Sequence, residues 1–441
     1  MSFHYLSEVS DRQRELLKQH LKRRLHERES KTGLSIVYDL TYMCNQACPG
    51  CCVSAVAYKK GREITIDQHG SDLPNIVSVL EKIKQYLDTK PGLDFFIDFG
   101  GGELTLRPDW KEILRIACDM FGRDSVGMNT NGTRAAIEDM LDIDPYVSYI
   151  GISIDGMEQY HNKWRRTVEG GNSFERSMNL IREMLQVPTL KSKLDITTVP
   201  TKNNLAEIPA LMRYLNQEGI QNYSVHRAMQ VGRFWDKDQL LPSPSDYFKL
   251  LVQIVETNQE LGMNVHLHHS IESIYTSLLL GVNTYSESNL GNPDRKASLG
   301  IDPVGRIFFD PWCTVDPWDK LAKSSLLDDD VTFESILKEH GGIQDIIDSY
   351  CRKDIRCKGC DAACSGGNRI AAAANHIRSN FQLKSKEVTK EQLLEAMDSV
   401  DPACPLYIDS STYISAADHA ELSMIQAQFA SIQVPEPAVV R

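Results

Sequence analysis

From residue 34 onward the chain repeats one pattern: a short apolar run, a turn, then an amphipathic stretch. The strand-like runs are "LSIVYDL" (34–40), "LDFFIDFG" (93–100), "SVGMN" (125–129), "YVSYIGIS" (146–153), "LDITTV" (194–199) and "YSVH" (223–226). Between them apolar residues return at helical spacing, as in Ile76, Val79, Leu80, Ile83 and Leu87. Strands that alternate with helices imply a parallel sheet with right-handed crossovers. Six such units fall short of the eight that close a full barrel. The expected fold is therefore α/β, an open partial (β/α)6 TIM-like barrel.

In sheets of this kind the chemistry gathers at the C-terminal ends of the strands. The unusual residues of this chain lie there. "TYMCNQACPGCC" (41–52) follows the first run, "GGGE" (100–103) the second, "NTNGT" (129–133) the third and "SIDG" (153–156) the fourth. Four independent loops on one rim predict one composite site. Taken singly, "GGGE" reads as a tight turn and "NTNG" as an Asn-Gly turn.

The first of these loops spaces Cys44, Cys48 and Cys51 as C-x3-C-x2-C, with Cys52 directly after. The eleven cysteines of the chain are an odd number, and the N-terminus lacks the apolar segment of a secretory signal. Metal or redox chemistry in the cytoplasm is expected rather than a disulfide scaffold. No apolar run approaches the roughly 18–20 residues that span a bilayer, so no membrane partner is expected. A net charge of -12 argues against nucleic acid as a partner. A closed structural zinc site takes four ligands. Three thiolates on one loop suit three irons of a 4Fe–4S cube and leave the fourth iron open. Zinc and incidental thiols are the alternatives on spacing alone.

The loops together resemble the radical S-adenosylmethionine (SAM) superfamily. "GGE" at Gly101–Glu103 is similar to that family's amino-group motif. "TNG" at Thr130–Gly132, "ISIDG…HNKWRR…SFERSMNLI" (152–181) and "VPTKNNLAEIPALMRYLNQEGI" resemble its SPASM/twitch branch, whose members include peptide-modifying maturases. The resemblance implies that Cys44, Cys48 and Cys51 bind a 4Fe–4S cluster whose open iron chelates SAM. It implies further that Gly101 and Gly102 let the backbone approach the methionine moiety and that Glu103 holds its ammonium. Asn129 and Asn131 join the cofactor-binding set, and Ser153 and Arg165 match the family's ribose and carboxylate contacts. One electron from the cluster would cleave SAM to a 5′-deoxyadenosyl radical that abstracts a substrate hydrogen. The implied electron donor is a flavodoxin or ferredoxin. One departure stands out: the position before the third cysteine, often aromatic in the family and near adenine, is Gly50 here. Cys52 is expected to be a neighbour rather than a ligand.

A second cysteine group, "CRKDIRCKGCDAACSGGN" with Cys404 downstream, resembles a partial SPASM array. The resemblance implies one auxiliary 4Fe–4S cluster on Cys357, Cys360, Cys364 and Cys404. Asn368 stands where a ligand of a further cluster is expected, and Cys313 and Cys351 are alternative ligands or free thiols. A structural zinc ribbon is the competing reading. Cys313 is also a candidate hydrogen donor, and Cys118 is expected to pack in an apolar helix.

The expected organisation is an amphipathic N-terminal helix (1–33), the radical SAM barrel (34–240) and a mostly helical connector (241–290). A small SPASM/twitch-like domain (291–420) and a tail (421–441) follow, the closing stretch "ASIQVPEPAVVR" being loose. The N-terminal helix either lies on the core or forms a basic arm for an acidic partner. His226 and Arg227 are candidates to line the site. His266 and His268 alternate on a strand face without a carboxylate partner nearby in sequence, so ordinary polar histidines are expected there. The expected activity is modification of a ribosomally made peptide. The alternative is a dehydrogenase, epimerase or decarboxylase of a small molecule such as a sugar or nucleoside. A non-catalytic iron–sulfur or zinc module fits the open three-cysteine loop less well.

Overall fold

The computed structural model describes residues 4–29, 33–58, 64–267, 269–281, 297–322, 324–339, 368–405 and 416–434. Nine strands form one sheet: β1 (Gly33–Asp39), β2 (Asp94–Gly100), β3 (Val126–Thr130), β4 (Tyr149–Ser153), β5 (Leu194–Thr198), β6 (Asn222–Val225), β7 (Asn264–Leu267), β8 (Ala297–Ile301) and β9 (Ile307–Phe308). The order is β9-β8-β1-β2-β3-β4-β5-β6-β7. Every neighbouring pair is parallel except the β8–β9 hairpin.

The six expected strands are β1 to β6, in sequential order as right-handed βαβ winding requires. Two additions extend the sheet. "NVHL" (264–267), within the stretch read as a mostly helical connector, pairs with β6. The hairpin strand β8 pairs parallel to β1, from Leu34 against Ala297 to Tyr38 against Ile301. It covers the edge that β1 would otherwise present to solvent.

The two faces of the sheet differ chemically. Ile36, Tyr38, Ile97, Phe99, Met128, Ile150, Ile152 and Ile196 are buried under the helices. The alternate residues, among them Asp98, Asn129, Tyr149, Asp195 and Ser224, are polar and face the concave side. The sheet curls enough for Asp98 of β2 to feel the charge of Asp195 of β5, three strands further on.

The helix Asp11–Glu29 lies on the core, burying Leu17 and Leu21. Several of its basic residues, Lys18, His20 and Arg24 among them, are engaged within the molecule. The Lys18 ammonium donates to the carbonyls of Phe429 (2.6 Å) and Ile432 (2.6 Å) at the end of the helix Ala416–Ser431, where cations suit the helix dipole. His20 and Arg24 both bond the buried Glu272, at 3.1 Å each. The arm reading is thereby corrected. Within the expected tail, Leu422, Ile425 and Phe429 bury one face of that last helix.

Arg227 is corrected as well. It is 2% exposed and forms a two-pronged pair with Asp401, Nη1 to Oδ2 at 2.7 Å. Asp401 also accepts the backbone N–H groups of Asn368 (2.6 Å) and Ala403 (2.8 Å). The pair fastens the C-terminal region to the chain leaving β6. Asn368 has a structural duty too: its Oδ1 caps the helix Arg369–Phe381 by accepting from the Ala371 N–H at 2.9 Å.

Candidate active site

The cysteine loop is pinned at both ends. Thr41 Oγ1 accepts the Met43 N–H at 3.0 Å, and Met43–Cys44 pairs in parallel with Val56–Ala57, turning the loop back on itself. The "GGE" segment then docks along it. Gly102 N–H donates to the Thr41 carbonyl and Glu103 N–H to the Met43 carbonyl, both at 2.8 Å. This approach needs glycine. Gly101 has φ +110°, and a Cβ on Gly102 would lie 2.1 Å from the Met43 oxygen. The close backbone contact that these glycines permit in the structure is thus to the cysteine loop.

Glu103 is 1% exposed and receives four donors. Oε1 accepts from Thr105 N (3.3 Å), Thr105 Oγ1 (2.7 Å) and Thr130 Oγ1 (2.7 Å); Oε2 accepts from Asn131 N (2.7 Å). All four donors are neutral. Asn131 extends the bracket: its Nδ2 donates to Asn45 Oδ1 at 2.8 Å and reaches the Cys44 sulfur at 3.9 Å. Three loops, after β1, β2 and β3, therefore meet at one point. Asn129 is placed elsewhere, on the concave face, where its amide donates to Asp98 Oδ2 at 2.5 Å.

The three thiols stand close enough that each of Cys48 and Cys51 adds to the charge felt at Cys44. Backbone N–H groups point at two of the sulfurs, Gln46 at Cys44 (3.3 Å) and Ala55 at Cys51 (3.4 Å). Burial pushes the Cys48 thiol up to about 11, against the pull of the Arg165 guanidinium. Arg165 itself is fixed by Asp155, Nε to Oδ2 at 2.7 Å, and Asp155 is held in turn by the Val199 N–H at 2.8 Å. Ser153 ends β4 on the concave side, and His226 follows β6 on the same side. None of the described cysteines is in a disulfide. Among the described residues no three His, Cys, Asp or Glu side chains converge on a single ion-sized point. A cube asks for something different, three thiolates each on its own iron. Three unbridged thiols on one loop with N–H donors to sulfur and a cation alongside fit that demand.

Gly50 has a structural explanation. A Cβ there would meet the Trp164 and Phe234 rings at 2.6 Å each. Trp164 stacks on Tyr160 (centroids 5.9 Å apart, 16°) and meets Phe234 edge-on. The aromatic surface beside the third cysteine comes from the chain after β4 and β6 instead of from the loop. Sequence reasoning missed these two rings, and nothing in local spacing marks them.

The remaining cysteines separate. Cys313 is 0% exposed, in an apolar group with Phe308, Val315 and Trp318 against which Cys52 also packs. Burial and Asp310 raise its thiol. The next residue, Thr314, donates to Asp39 Oδ2 at 2.9 Å beneath the end of β1. Cys118, expected to be buried, is half-buried on the helix Trp110–Phe121. Cys404 is half-buried and packs against the main core. Cys351, Cys357, Cys360 and Cys364 lie outside the described residues, as does His268. His266 is half-buried on β7.

Asp98, Tyr149 and Asp195 were also missed, although a signal exists. Asp98 sits between the apolar Ile97 and Phe99 within a strand, a polar residue on the face opposite the core.

A partial parallel barrel with an unbridged three-cysteine loop on its rim defines a class. Residues 38–215 match the family model of the Radical SAM superfamily. This part of the chain is a radical SAM domain, and the protein is an enzyme of the radical SAM type, using a 4Fe–4S cluster and SAM. Among characterised proteins, mycofactocin maturase MftC of Mycolicibacterium smegmatis is 25% identical over 324 residues, 73% of this chain and 71% of that protein. AdoMet-dependent heme synthase of Methanosarcina barkeri is 27% identical over 226 residues, 51% of this chain and 58% of that one. Two solved structures share the fold at 16% identity and a TM-score of 0.58. Native anSMEcpe with bound AdoMet and Kp18Cys peptide covers 77% of this chain and 90% of its own. Streptococcus suis SuiB bound to precursor peptide SuiA covers 82% and 76%. Among the described residues no helix is long and apolar enough to cross a membrane.

Proposed function

We propose that this enzyme modifies a ribosomally synthesised peptide, with Cys44, Cys48 and Cys51 holding the cluster and SAM bound between it and Glu103. The observation that carries the site assignment is the buried Glu103 carboxylate, bracketed by neutral donors next to Cys44. A carboxylate with no cation on it among the described residues is suited to an incoming ammonium. When bound, the cluster and SAM supply a 5′-deoxyadenosyl radical that takes a hydrogen atom from the substrate. The residues of the chain hold and orient. Asn131 ties the cysteine loop to Glu103. Arg165, oriented by Asp155, puts a cation beside Cys48 and within reach of a carboxylate. Trp164 and Phe234 offer an apolar wall for an adenine, and the concave polar face receives the substrate.

The peptide reading draws on the maturase relatives and on the peptides held by the two solved structures of the same fold. It is favoured over a small-molecule substrate on that ground. One auxiliary 4Fe–4S cluster on Cys357, Cys360, Cys364 and Cys404 belongs to the same proposal, as do a flavodoxin or ferredoxin donor and a cytoplasmic setting, where thiols stay reduced.

Three measurements test it. Anaerobically reconstituted protein given SAM and dithionite is expected to form 5′-deoxyadenosine and methionine; no turnover with the clusters intact refutes the radical assignment. Iron and sulfide are expected at about eight each per chain on the arithmetic of two cubes, and about twelve refutes the single auxiliary cluster. Coexpression with short reading frames beside the gene, followed by mass spectrometry of the peptides, tests the substrate class. A mass change requiring Cys44 supports a peptide.

A further inference from the structure

The concave face carries two carboxylates that the roles above do not use. Asp98 Oδ2 accepts from Asn129 Nδ2 at 2.5 Å, and Asp195 Oδ2 accepts from Ser224 Oγ at 2.9 Å. The other oxygen of each, Oδ1, is buried and takes no hydrogen bond. Asp195 is 7% exposed. Among the described residues no lysine or arginine offsets either group: the charge that Asp98 feels is that of Asp195, and burial raises both to about 7. Tyr149, on β4, one of the two strands between them, feels both carboxylates. Its hydroxyl stands over Gly151, where a Cβ would lie 2.9 Å from it and 2.2 Å from Asn129 Oδ1.

Burying two acceptors without donors or a counter-charge is destabilising, and apolar residues would serve a purely structural floor better. The two free oxygens lie on the face that looks into the curled sheet. What satisfies them is a group with several N–H donors and a positive charge.

We propose that Asp98 and Asp195 form a cation well below the rim of the barrel, which takes an ammonium or guanidinium group of the substrate. This rests on the concave face being the substrate chamber, and it names the chemistry of the group placed there. Asn129 and Ser224 hold one oxygen of each carboxylate, and the other oxygen of each accepts from the ligand. Gly151 keeps the backbone low enough for Asn129 and Tyr149 to stand beside the pair.

The test is a binding comparison on the reconstituted full chain with SAM present. The probes are Nα-acetyl-lysine amide, its uncharged counterpart Nα-acetyl-norleucine amide, and butylamine as a free amine. The lysine probe is expected to bind at least about tenfold tighter than the norleucine probe. Asp195→Asn and Asp98→Asn are each expected to remove most of that preference without altering norleucine binding. Butylamine binding as well as the lysine probe supports the well with a small amine as its source; weaker butylamine binding supports a peptide side chain. Equal affinities for the lysine and norleucine probes, no binding of the lysine probe at millimolar concentration, or an unchanged preference in both variants overturns the proposal. Should one variant fail to fold, the other variant and the wild-type comparison still decide. Failure to form 5′-deoxyadenosine strikes the radical assignment and leaves this comparison intact.

Discussion

Glu103 Oε2 accepts the backbone N–H of Asn131 at 2.7 Å, and that bond joins the loop after β2 to the loop after β3. Since Asn131 also holds Asn45, the same few atoms set where the cysteine loop lies.

Glu103→Gln keeps the shape and removes the charge. A charge-assisted hydrogen bond is worth roughly 1.5–3 kcal/mol. The affinity of the reconstituted protein for SAM is expected to fall at least about tenfold, with iron content retained. Anaerobic calorimetry measures it; an unchanged affinity rules out Glu103 as the ammonium partner.

Gly102→Ala tests the docking of the two loops. Its Cβ would sit 2.1 Å from the Met43 oxygen, inside any tolerable contact. Overpacking of this kind costs about 1–3 kcal/mol. A lower melting temperature is expected, and loss of the iron held by the neighbouring thiols. Full iron content in the variant contradicts this account.

Gly50→Tyr restores an aromatic side chain where the family often has one. Trp164 and Phe234 already fill that space, so the single variant is expected to be destabilised by roughly 1–3 kcal/mol. Trp164→Ala in the same chain is expected to recover part of the loss. A double-mutant cycle reads the coupling, and additive effects sink the idea that the rings occupy the missing side chain's place.

The raised carboxylates make stability depend on pH. Asp98 and Asp195 titrate at about 7 in the folded protein, against about 3.9 in an unfolded chain. Between those values the folded state holds protons that the unfolded state releases. Their contribution is therefore full below about pH 4 and is lost as pH rises through about 7. Asp39 and Asp310 shift the same way. Asp195→Asn is thus expected to reduce, without abolishing, the fall in melting temperature between pH 5 and pH 8. Parallel melting profiles for variant and wild type count against it.

Arg227→Ala leaves Asp401 buried without its cation. Loss of one partner of such a pair costs about 3–5 kcal/mol, so denaturant unfolding is expected to show a loss of that order. A change under about 1 kcal/mol, the range of exposed pairs, contradicts the burial of the pair.

The strand–helix alternation, the rim loops and the three-cysteine spacing were legible in the residues themselves, because each depends on local periodicity or on a short loop. Strands β1 to β6 emerged from such patterns, and so did the meeting of "GGGE" with "NTNGT" on one rim. Strand β7 was harder to read, since "NVHL" is too short to stand out between helices. The parallel pairing of β8 with β1 joins residues some 260 positions apart, and no local pattern encodes it. The same holds for Arg227 with Asp401, and for Lys18 with the carbonyls at the end of the last helix. Gly50 looked like a missing contact; in space it is room for two rings from elsewhere in the chain. By itself the sequence determined which residues end the strands and which thiols share a loop. Tertiary structure alone decided which side chains face one another across the curled sheet. Burial turned Asp98 and Asp195 from ordinary strand positions into carboxylates raised to about 7, through the loss of solvent around them.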